Sequence, residues 1–374
     1  MIVEQRVARG RRVDEVGNAA GGRRRERGLF IPNRKLKLRE QVAEVMRFFH
    51  YSPRTEETYW HWIERYLRFH REGGEAGYRW RRPETMGANE VAAFLSDLAR
   101  MGHVSAATQN QALNALVFLY GEVLHQPLGD LGEVLRVTRP ARVPEVLSRE
   151  AVGRLLAAVE ADYQLAVGLL YGSGLRLMEL LRLRVRDVDL ERGQIVVRAG
   201  KGQKDRVTVL PESLREGLAV HLRRVRLTHE ADRKARVAGV RLPGALARKY
   251  PKAGEEWVWF WVFPAWKLAR DAEDGAVKRH HLMEDNVQRA VRAAARKAGL
   301  SQRVTPHTLR HCFATHLLEG GTDIRTVQEL MGHRSVTTTQ IYLHVMKKPG
   351  LGVRSPLDGP VAPRPWARGK PAGV

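Results

Sequence analysis

The sequence contains almost no cysteine. Only one of its 374 residues is a cysteine, Cys312, so the chain cannot form an internal disulfide or a zinc site built on several cysteines. A lone cysteine suits the reducing cytoplasm, where we expect the protein to act. Because Cys312 lies in an apolar, helix-like stretch, CFATHLL, we predict that it is a small buried core residue.

Long apolar segments are also missing. No apolar run reaches the roughly 18 residues that a membrane-spanning helix requires. The N-terminus is rich in arginine and glycine and has no apolar segment of the kind found in secretory signals. We therefore expect no membrane partner and no export.

Negative charge is scarce relative to positive charge. The chain has 64 Lys and Arg against 41 Asp and Glu, a formal net charge of +23. Contacts between basic side chains and phosphates release counterions, so this excess favours a nucleic-acid partner. A basic surface with no such partner is the alternative. Hydrophobic residues make up 43% of the chain, enough to form folded cores, and the length suggests two domains.

The N-terminal part predicts a small helical domain. Residues 1–35 carry eight arginines before position 28 and are predicted to be a disordered extension. This extension either contacts DNA backbone or is a leader without a role. In residues 36–126, apolar side chains recur at helical spacing in four segments, which predicts four helices and a small helical domain. Asn89 and Ser105 are predicted helix caps.

Prolines and arginines then mark a break. Residues 127–146 read as an extended basic linker, and its Arg139 and Arg142 are predicted to contact DNA. Residues 147–349 are predicted to form a second domain. Residues 350–374 are a Pro-rich tail with no predicted structure.

The second domain is predicted to be mainly helical with a small β component. Ser148 caps a helix, a long apolar helix breaks at residues 172–174, and residues 284–342 read as several helices. Two β-branched segments, residues 194–198 and 206–210, flank a Gly-rich turn and predict a hairpin. A charged helix is predicted over residues 214–235.

Several residues in this domain could together cleave a DNA phosphodiester. The phosphorane-like transition state carries extra negative charge, which the planar fork of an arginine stabilises well. Arg176 follows Gly172-Ser173-Gly174 at a predicted helix start, and Glu179 lies on the same face, where it can orient Arg176. Lys201, at the tip of the predicted hairpin, can donate a proton to a leaving oxygen, although a solvated turn lysine is the alternative.

The C-terminal helices supply the remaining candidates. His307 and Arg310, three residues apart on one helical face, suit a phosphate clamp. His333 follows Gly332, and Tyr342 is a candidate nucleophile, although such a tyrosine more often packs in a core. His311 and His316 are not predicted to be catalytic. Lys204 and Arg206 of the hairpin are predicted DNA-backbone contacts.

The ordered series Arg176, Lys201, His307-x-x-Arg310, His333 and Tyr342 resembles the tyrosine recombinase family, over roughly residues 36–358. The resemblance implies a SAM-like core-binding domain and a catalytic domain that clamp DNA in a C shape. It implies a 3′-phosphotyrosine intermediate, a synaptic homotetramer, and no metal or nucleotide cofactor. In these roles Tyr342 attacks, Arg176 and Arg310 hold the phosphate, Lys201 protonates the leaving 5′-oxygen, His307 assists proton transfer, and His333 hydrogen-bonds the phosphate.

By this resemblance, residues 36–126 are the core-binding DNA domain and residues 147–349 are the catalytic domain. The catalytic domain has an insertion at about 240–283, which is similar to the extra segment of integron integrases. Residues 50–56 and 350–358 also match that subfamily. Integron integrases bind cassette sites as folded single strands with extrahelical bases, which suit aromatic or imidazole surfaces. The candidates for this contact are Trp257, Trp259, His280 and His281. A local hydrophobic core of tryptophans is the alternative. Competing functions are a recombinase that acts on duplex sites only, a non-catalytic DNA-binding protein and a type IB topoisomerase.

Overall fold

The computed structural model describes residues 30–73, 77, 79–100, 104–129, 145–198, 205–242, 246–272 and 274–343. The chain divides into two compact units, Met1–Ala141 and Arg142–Val374. Four predicted sites, Arg139, Arg142, Lys201 and Lys204, lie outside the described residues, as do most of the leader and the C-terminal tail. The predicted clamp arrangement of the two units stays a prediction.

The described part of the N-terminal unit contains four α-helices, as the apolar spacing predicts. They are α1 (Leu38–Phe48), α2 (Pro53–Phe69), α3 (Ala88–Arg100) and α4 (Ala106–Phe118), and α4 continues as a π-helical turn, Leu119–Val123. The predicted cap at Ser105 is present, since Ser105 Oγ accepts a hydrogen bond from the Thr108 amide at 3.2 Å. The predicted cap at Asn89 is wrong, because α3 begins one residue earlier, at Ala88. The hydrophobic core of this unit contains Tyr66 and Tyr120. Their buried hydroxyls form a hydrogen bond with each other at 2.8 Å, so each has a partner.

The second unit is mainly helical with two small antiparallel sheets, which confirms the predicted fold class. Its helices are α5 (Arg149–Ala158), α6 (Ala161–Gly172), α7 (Leu177–Leu181), α8 (Glu212–Lys234), α9 (Leu246–Lys249), α10 (Glu284–Lys297), α11 (Pro306–Glu319), α12 (Ile324–Met331) and α13 (Thr337–Gln340). Strands β1 (Val188–Asp189), β2 (Gln194–Val197) and β3 (Arg206–Val209) form one sheet in that order. Strands β4 (Pro264–Arg270) and β5 (Val277–His281) form the other.

The main core of this unit lies between α5, α6, α10 and α11. Leu155, Leu169, Val291 and Leu309 are fully buried there. Cys312 is buried among them and its Sγ accepts a hydrogen bond from the Leu147 amide at 3.3 Å, which confirms its prediction as a core residue. Burial raises the pKa of the Cys312 thiol to about 11, so it stays protonated at neutral pH.

The insertion contains a hairpin that the sequence pattern does not indicate. After the single-turn helix α9, the chain forms β4 and β5, which pair with an irregular register between Pro264 and Leu268. Arg279 in β5 holds the hairpin against α8, because its guanidinium donates two hydrogen bonds to the buried Asp232 carboxylate at 2.9 and 2.6 Å. No helix in the described part of the chain is long and apolar enough to cross a bilayer.

Candidate active site

The first part of the site is the turn between α6 and α7. Gly174 has φ +61°, and a Cβ at this position would lie 2.3 Å from a ring carbon of Phe313, so glycine is needed for both conformation and space. Helix α7 follows, with Arg176 as its N-cap residue. The Arg176 guanidinium donates a hydrogen bond to Glu179 Oε1 at 2.7 Å. Glu179 Oε2 also accepts from the Arg176 amide at 2.8 Å. The prediction that Glu179 orients Arg176 agrees with this geometry.

Three guanidinium groups surround the carboxylate of Glu179. Besides Arg176, Arg206 donates two hydrogen bonds to it, at 2.9 and 2.7 Å, and Arg310 lies 3.8 Å away. Burial alone would raise the pKa of Glu179, but the bonds from Arg206 and Arg176 outweigh it and bring the pKa to about 2. The carboxylate is therefore ionised at neutral pH and fixes the positions of the surrounding arginines.

Arg206 occupies a different place from the predicted one. Its side chain is only 9% exposed, and besides Glu179 it donates to the Leu330 carbonyl at 2.9 Å. It passes so close to Gly332, which has φ +62°, that a Cβ there would lie 2.8 Å from Arg206 Cδ. The predicted contact of Arg206 with DNA backbone does not fit this conformation, because β3 runs beside α12 and turns the guanidinium inward.

Arg310 is the most deeply buried cation of the site. It is 1% exposed, and its guanidinium donates to the carbonyls of Gly174 and Met331. His333 Nε2 lies 3.5 Å from the same group. Burial and then the charge of Arg176 lower the pKa of Arg310 to about 9, so it remains charged at neutral pH. The two carbonyls fix the plane of the fork.

His307 lies beside Arg310 at the opening of a pocket. Thr305 caps α11 by accepting from the Thr308 amide at 3.2 Å, and Pro306 is its first residue. The pocket of about 420 Å³ is lined by Arg176, Arg292, Arg303, His307 and Arg310 among others. Desolvation and then the charges of Arg310 and Arg176 lower the pKa of His307. A pocket lined by four arginines suits an anionic group such as a DNA phosphate.

Tyr342 and His333 lie next to each other at the other side of Arg310. Their rings are 6.2 Å apart and nearly parallel, and His333 Nδ1 bonds to Thr339 Oγ1 at 2.9 Å. Tyr342 is 2% exposed. Burial raises the pKa of its hydroxyl, whereas the charges of Arg310 and Arg176 lower it. Desolvation and the charge of Arg310 lower the pKa of His333 to about 4.

The sequence patterns did not single out His311, which contacts the candidate nucleophile. Its Nδ1 lies 3.0 Å from the Tyr342 hydroxyl, and its ring is 4.3 Å from that of His307. The signal in the sequence was the spacing, because His307 and His311 are four residues apart on one helical face. His316 has a structural place, since its ring nitrogens contact the Tyr171 hydroxyl and the Leu147 carbonyl, each at 2.9 Å.

The tryptophan-rich part of the insertion packs around a small hydrophobic core that is separate from the main core of the unit. Phe260 and Trp261 are buried, as the alternative of a local hydrophobic core expects, and Trp257 and Trp259 pack on them half-buried. The guanidinium carbons of Arg184 and Arg186 lie 5.7 and 4.3 Å from the centroid of the Trp259 ring.

The two predicted histidines of the insertion lie at the end of β5. His281 packs against Trp261 with ring centroids 5.3 Å apart, and its Nδ1 donates to the Leu282 carbonyl at 2.8 Å. The buried Nε2 of His280 has no hydrogen-bond partner among the described residues. Trp266 on β4, which was not a candidate, is 68% exposed.

Removing the charge of Glu179 is expected to change the acid stability of the protein. The folded pKa of about 2 lies below the ordinary value of 4.5, so this carboxylate stabilises the fold above pH 4.5 and loses that effect as the pH falls toward 2. Between pH 5 and pH 3 the loss is about 2 kcal/mol. Urea unfolding at these two pH values should therefore show a smaller pH-dependent loss for Glu179→Gln than for wild type.

The matched control is Glu230→Gln. Glu230 forms an exposed ion pair with Arg226 at 3.0 Å on α8, and such pairs contribute little to stability. This variant should lose as much stability as wild type between pH 5 and pH 3. An equal loss in Glu179→Gln would mean that the three arginines do not depend on this carboxylate.

Both units match known protein families. Residues 145–348 match the phage integrase family, and residues 38–130 match the phage integrase N-terminal SAM-like domain. The chain is 48% identical over 327 residues to an integrase/recombinase of Escherichia coli, covering 87% of this chain and 95% of that protein. It is 34% identical over 299 residues to tyrosine recombinase XerA of Thermococcus kodakarensis, covering 79% and 86%.

A solved structure supports the same fold. The recombinase XerH bound to its difH substrate aligns with a TM-score of 0.52 at 20% identity, over 82% of each chain. A pocket of arginines beside a histidine pair and a buried tyrosine has the groups that phosphodiester cleavage by a tyrosine requires. Together with the matches over both units, this means that the chain belongs to the phage integrase family of site-specific tyrosine recombinases, enzymes that cleave and rejoin DNA.

Proposed function

We propose that this recombinase is an integron integrase, which joins a double-stranded integron site to cassette sites bound as folded single strands. The observation that carries this proposal is the surface formed by Trp259, Arg186 and His281, here called the tryptophan surface, which packs on the buried Trp261 and Arg184. Arg186 lies 4.3 Å from the Trp259 ring centroid and Arg184 lies 3.9 Å from that of Trp261. Aromatic rings interleaved with guanidinium groups are the combination that binds unpaired bases and their phosphates.

The tryptophan surface is held rigidly against the rest of the unit. Trp261 Nε1 donates to the Arg279 carbonyl at 3.0 Å, and Arg184 donates to the carbonyls of Trp259 and Arg241 at 2.6 and 2.7 Å. Stacking on a preorganised ring contributes about 1–3 kcal/mol per base. Extrusion of a base costs least where the base was never paired, as in a folded single strand. His280, which is half-buried in β5 beside His281, is a further candidate to contact such a base.

The catalytic roles that the family resemblance implies are part of the proposal, and the contacts of the described residues support them. Arg176 and Arg310 hold the scissile phosphate in the arginine-lined pocket. Tyr342 attacks phosphorus and forms a transient 3′-phosphotyrosine, and Lys201 protonates the leaving 5′-oxygen. His307 assists proton transfer at the pocket, and His333, which contacts Arg310, hydrogen-bonds the phosphate. Four copies of the chain assemble in the synaptic complex.

The competing function is a recombinase that uses duplex sites only. It is favoured by the similarity to tyrosine recombinase XerA, which spans 79% of this chain. The tryptophan surface would then be a purely structural core that supports the hairpin of β4 and β5.

Covalent trapping on two DNA forms separates these functions. Purified protein is mixed with a nicked duplex and with a folded single-stranded hairpin that carries extrahelical bases, and the covalent protein–DNA band is measured on a denaturing gel. For an integron integrase, the hairpin gives an adduct, and Trp259→Ala reduces it about 5- to 150-fold, the equivalent of 1–3 kcal/mol of stacking. The adduct on duplex DNA should be unaffected by the same substitution.

The matched control is Tyr250→Ala. Tyr250 is an exposed aromatic residue of the same insertion, 49% exposed, and does not belong to the tryptophan surface. This variant should form both adducts at the wild-type rate. An adduct on duplex only would assign the protein to the duplex-acting recombinases. Equal losses on duplex and hairpin in Trp259→Ala would assign the ring a structural role.

A further inference from the structure

The hydroxyl of Tyr342 is bonded to His311, not to His307. The distance from His311 Nδ1 to the Tyr342 oxygen is 3.0 Å, and the ring centroids are 5.4 Å apart. Tyr342 is 2% exposed, so bulk water has little access to its proton. A buried hydroxyl that attacks phosphorus needs an acceptor for its proton close by.

The two histidines of α11 have separate places in the site. His307 lies one turn before His311, is exposed, and lines the arginine pocket. His311 is half-buried, contacts His307 edge to face at 4.3 Å, and lies between it and Tyr342. The helix therefore directs one imidazole to the phosphate pocket and the other to the nucleophile.

We propose that His311 is a catalytic residue whose Nδ1 accepts the proton of Tyr342 as the tyrosine oxygen attacks the scissile phosphorus. This inference rests on the proposed role of Tyr342 as nucleophile. The O–H bond of Tyr342 breaks and its proton moves to His311. The new bond joins the tyrosine oxygen to phosphorus, the bond from phosphorus to the 5′-oxygen breaks, and Lys201 gives that oxygen a proton. In rejoining, the proton returns from His311 to Tyr342.

The charges around His311 keep it ready to accept a proton. The groups that face it are His307 and Arg310 on α11, His333 after α12, and Tyr342 after α13. Desolvation, then His307 and Arg310, lower the pKa of His311 to about 4, so the ring is neutral at pH 7. An imidazolium beside Arg310 is unfavourable, but a bound phosphodiester adds a negative charge that offsets this repulsion.

The test compares His311→Ala with His311→Asn on a substrate with a modified leaving group. The DNA is the oligonucleotide on which wild type forms an adduct, made with either oxygen or sulfur at the bridging 5′ position of the scissile phosphate. A 5′-thiolate leaves without protonation, so sulfur should restore cleavage to Lys201→Ala. It should not restore cleavage to His311→Ala, because the missing group acts on the nucleophile. The expected loss in His311→Ala is about 10²- to 10⁴-fold in single-turnover adduct formation.

His311→Asn separates proton transfer from simple positioning. Asparagine can keep a hydrogen bond to the Tyr342 hydroxyl but does not take up a proton near neutral pH. If His311 is the proton acceptor, His311→Asn should form the adduct as slowly as His311→Ala on both substrates. DNA affinity and stability to urea should stay close to wild type in both variants. Adduct formation by His311→Asn at the wild-type rate would reduce His311 to a positioning residue and overturn the proposal.

Two further outcomes keep the inference separate from the assignment of Tyr342. A rate in His311→Ala equal to or above wild type would show that the hydrogen bond only restrains a buried nucleophile. In that case an adduct that disappears in Tyr342→Phe would leave the proposed function intact. An adduct that persists in Tyr342→Phe would instead remove Tyr342 as nucleophile, and the role of His311 with it. Carbon-13 tyrosine NMR without DNA gives a second measurement, since the acceptor stabilises the protonated hydroxyl and its loss should lower the pKa of Tyr342 in His311→Ala.

Discussion

Tyr342→Phe is expected to form no covalent adduct with DNA while binding DNA as tightly as wild type. The substitution removes only the hydroxyl that would attack phosphorus. Loss of a catalytic nucleophile lowers the rate by about 10⁴-fold or more in other enzymes. The aromatic ring stays packed with Phe313, Leu318 and Met331, so the fold should survive. Losing one hydrogen bond costs about 0.5–1.5 kcal/mol.

The measurement is the covalent band on a denaturing gel, with DNA affinity followed by gel shift under native conditions. Tyr171→Phe is the matched control, because Tyr171 also bonds to a histidine, His316, at 2.9 Å and lies in the same unit. That control should keep the wild-type adduct rate. A covalent band in Tyr342→Phe would show that another side chain attacks the DNA.

Arg310→Lys is expected to lower adduct formation by about 10²- to 10³-fold or more, the range seen when one donor that stabilises a transition-state anion is removed. The guanidinium of Arg310 spans the carbonyls of Gly174 and Met331 and lies next to His333. A lysine has one ammonium group in place of this planar fork and cannot reach both carbonyls while also contacting a phosphate.

The same substitution should destabilise the protein. With Arg310 1% exposed, a carbonyl that loses its donor is left unsatisfied in the interior, at a cost of about 1–3 kcal/mol. Urea unfolding measures this loss, and the adduct rate is compared at saturating DNA so that weaker binding does not mask the effect. Arg303→Lys is the control, because Arg303 is exposed at the rim of the same pocket and keeps its charge. An adduct rate within tenfold of wild type in Arg310→Lys would mean that a positive charge suffices without the fork.

The elements that the sequence predicts are those set by local rules. Apolar residues at helical spacing indicate the helices, and the capping residues Ser105 and Ser148 mark where α4 and α5 begin. The hairpin of β2 and β3 follows from its two β-branched segments around a Gly-rich turn. The hairpin of β4 and β5 lacks such a pattern, because most of β4 is exposed and β5 is held by an ion pair between Arg279 and Asp232, 47 residues apart.

By itself, the sequence determined which chemical groups the site would contain and in which order they come. Arg176, His307, Arg310, His333 and Tyr342 are candidates by residue type, and the resemblance of their ordered series to a known family makes them a set. The structure brings them together around Arg310. Their interpretation as a recombinase site agrees with the family matches over both units. That information is local and chemical, so it can be read without a fold.

Only the tertiary structure decided what each of these groups contacts. In the structure, Arg206 is hydrogen-bonded to Glu179, and the Tyr342 hydroxyl is hydrogen-bonded to His311. The Arg310 guanidinium donates to the carbonyl of Gly174, 136 residues earlier in the chain. The physical reason is that burial makes every polar atom need a partner. Which partner lies within reach depends on how α7, β3, α11 and α12 pack, and no local pattern in the sequence encodes that packing.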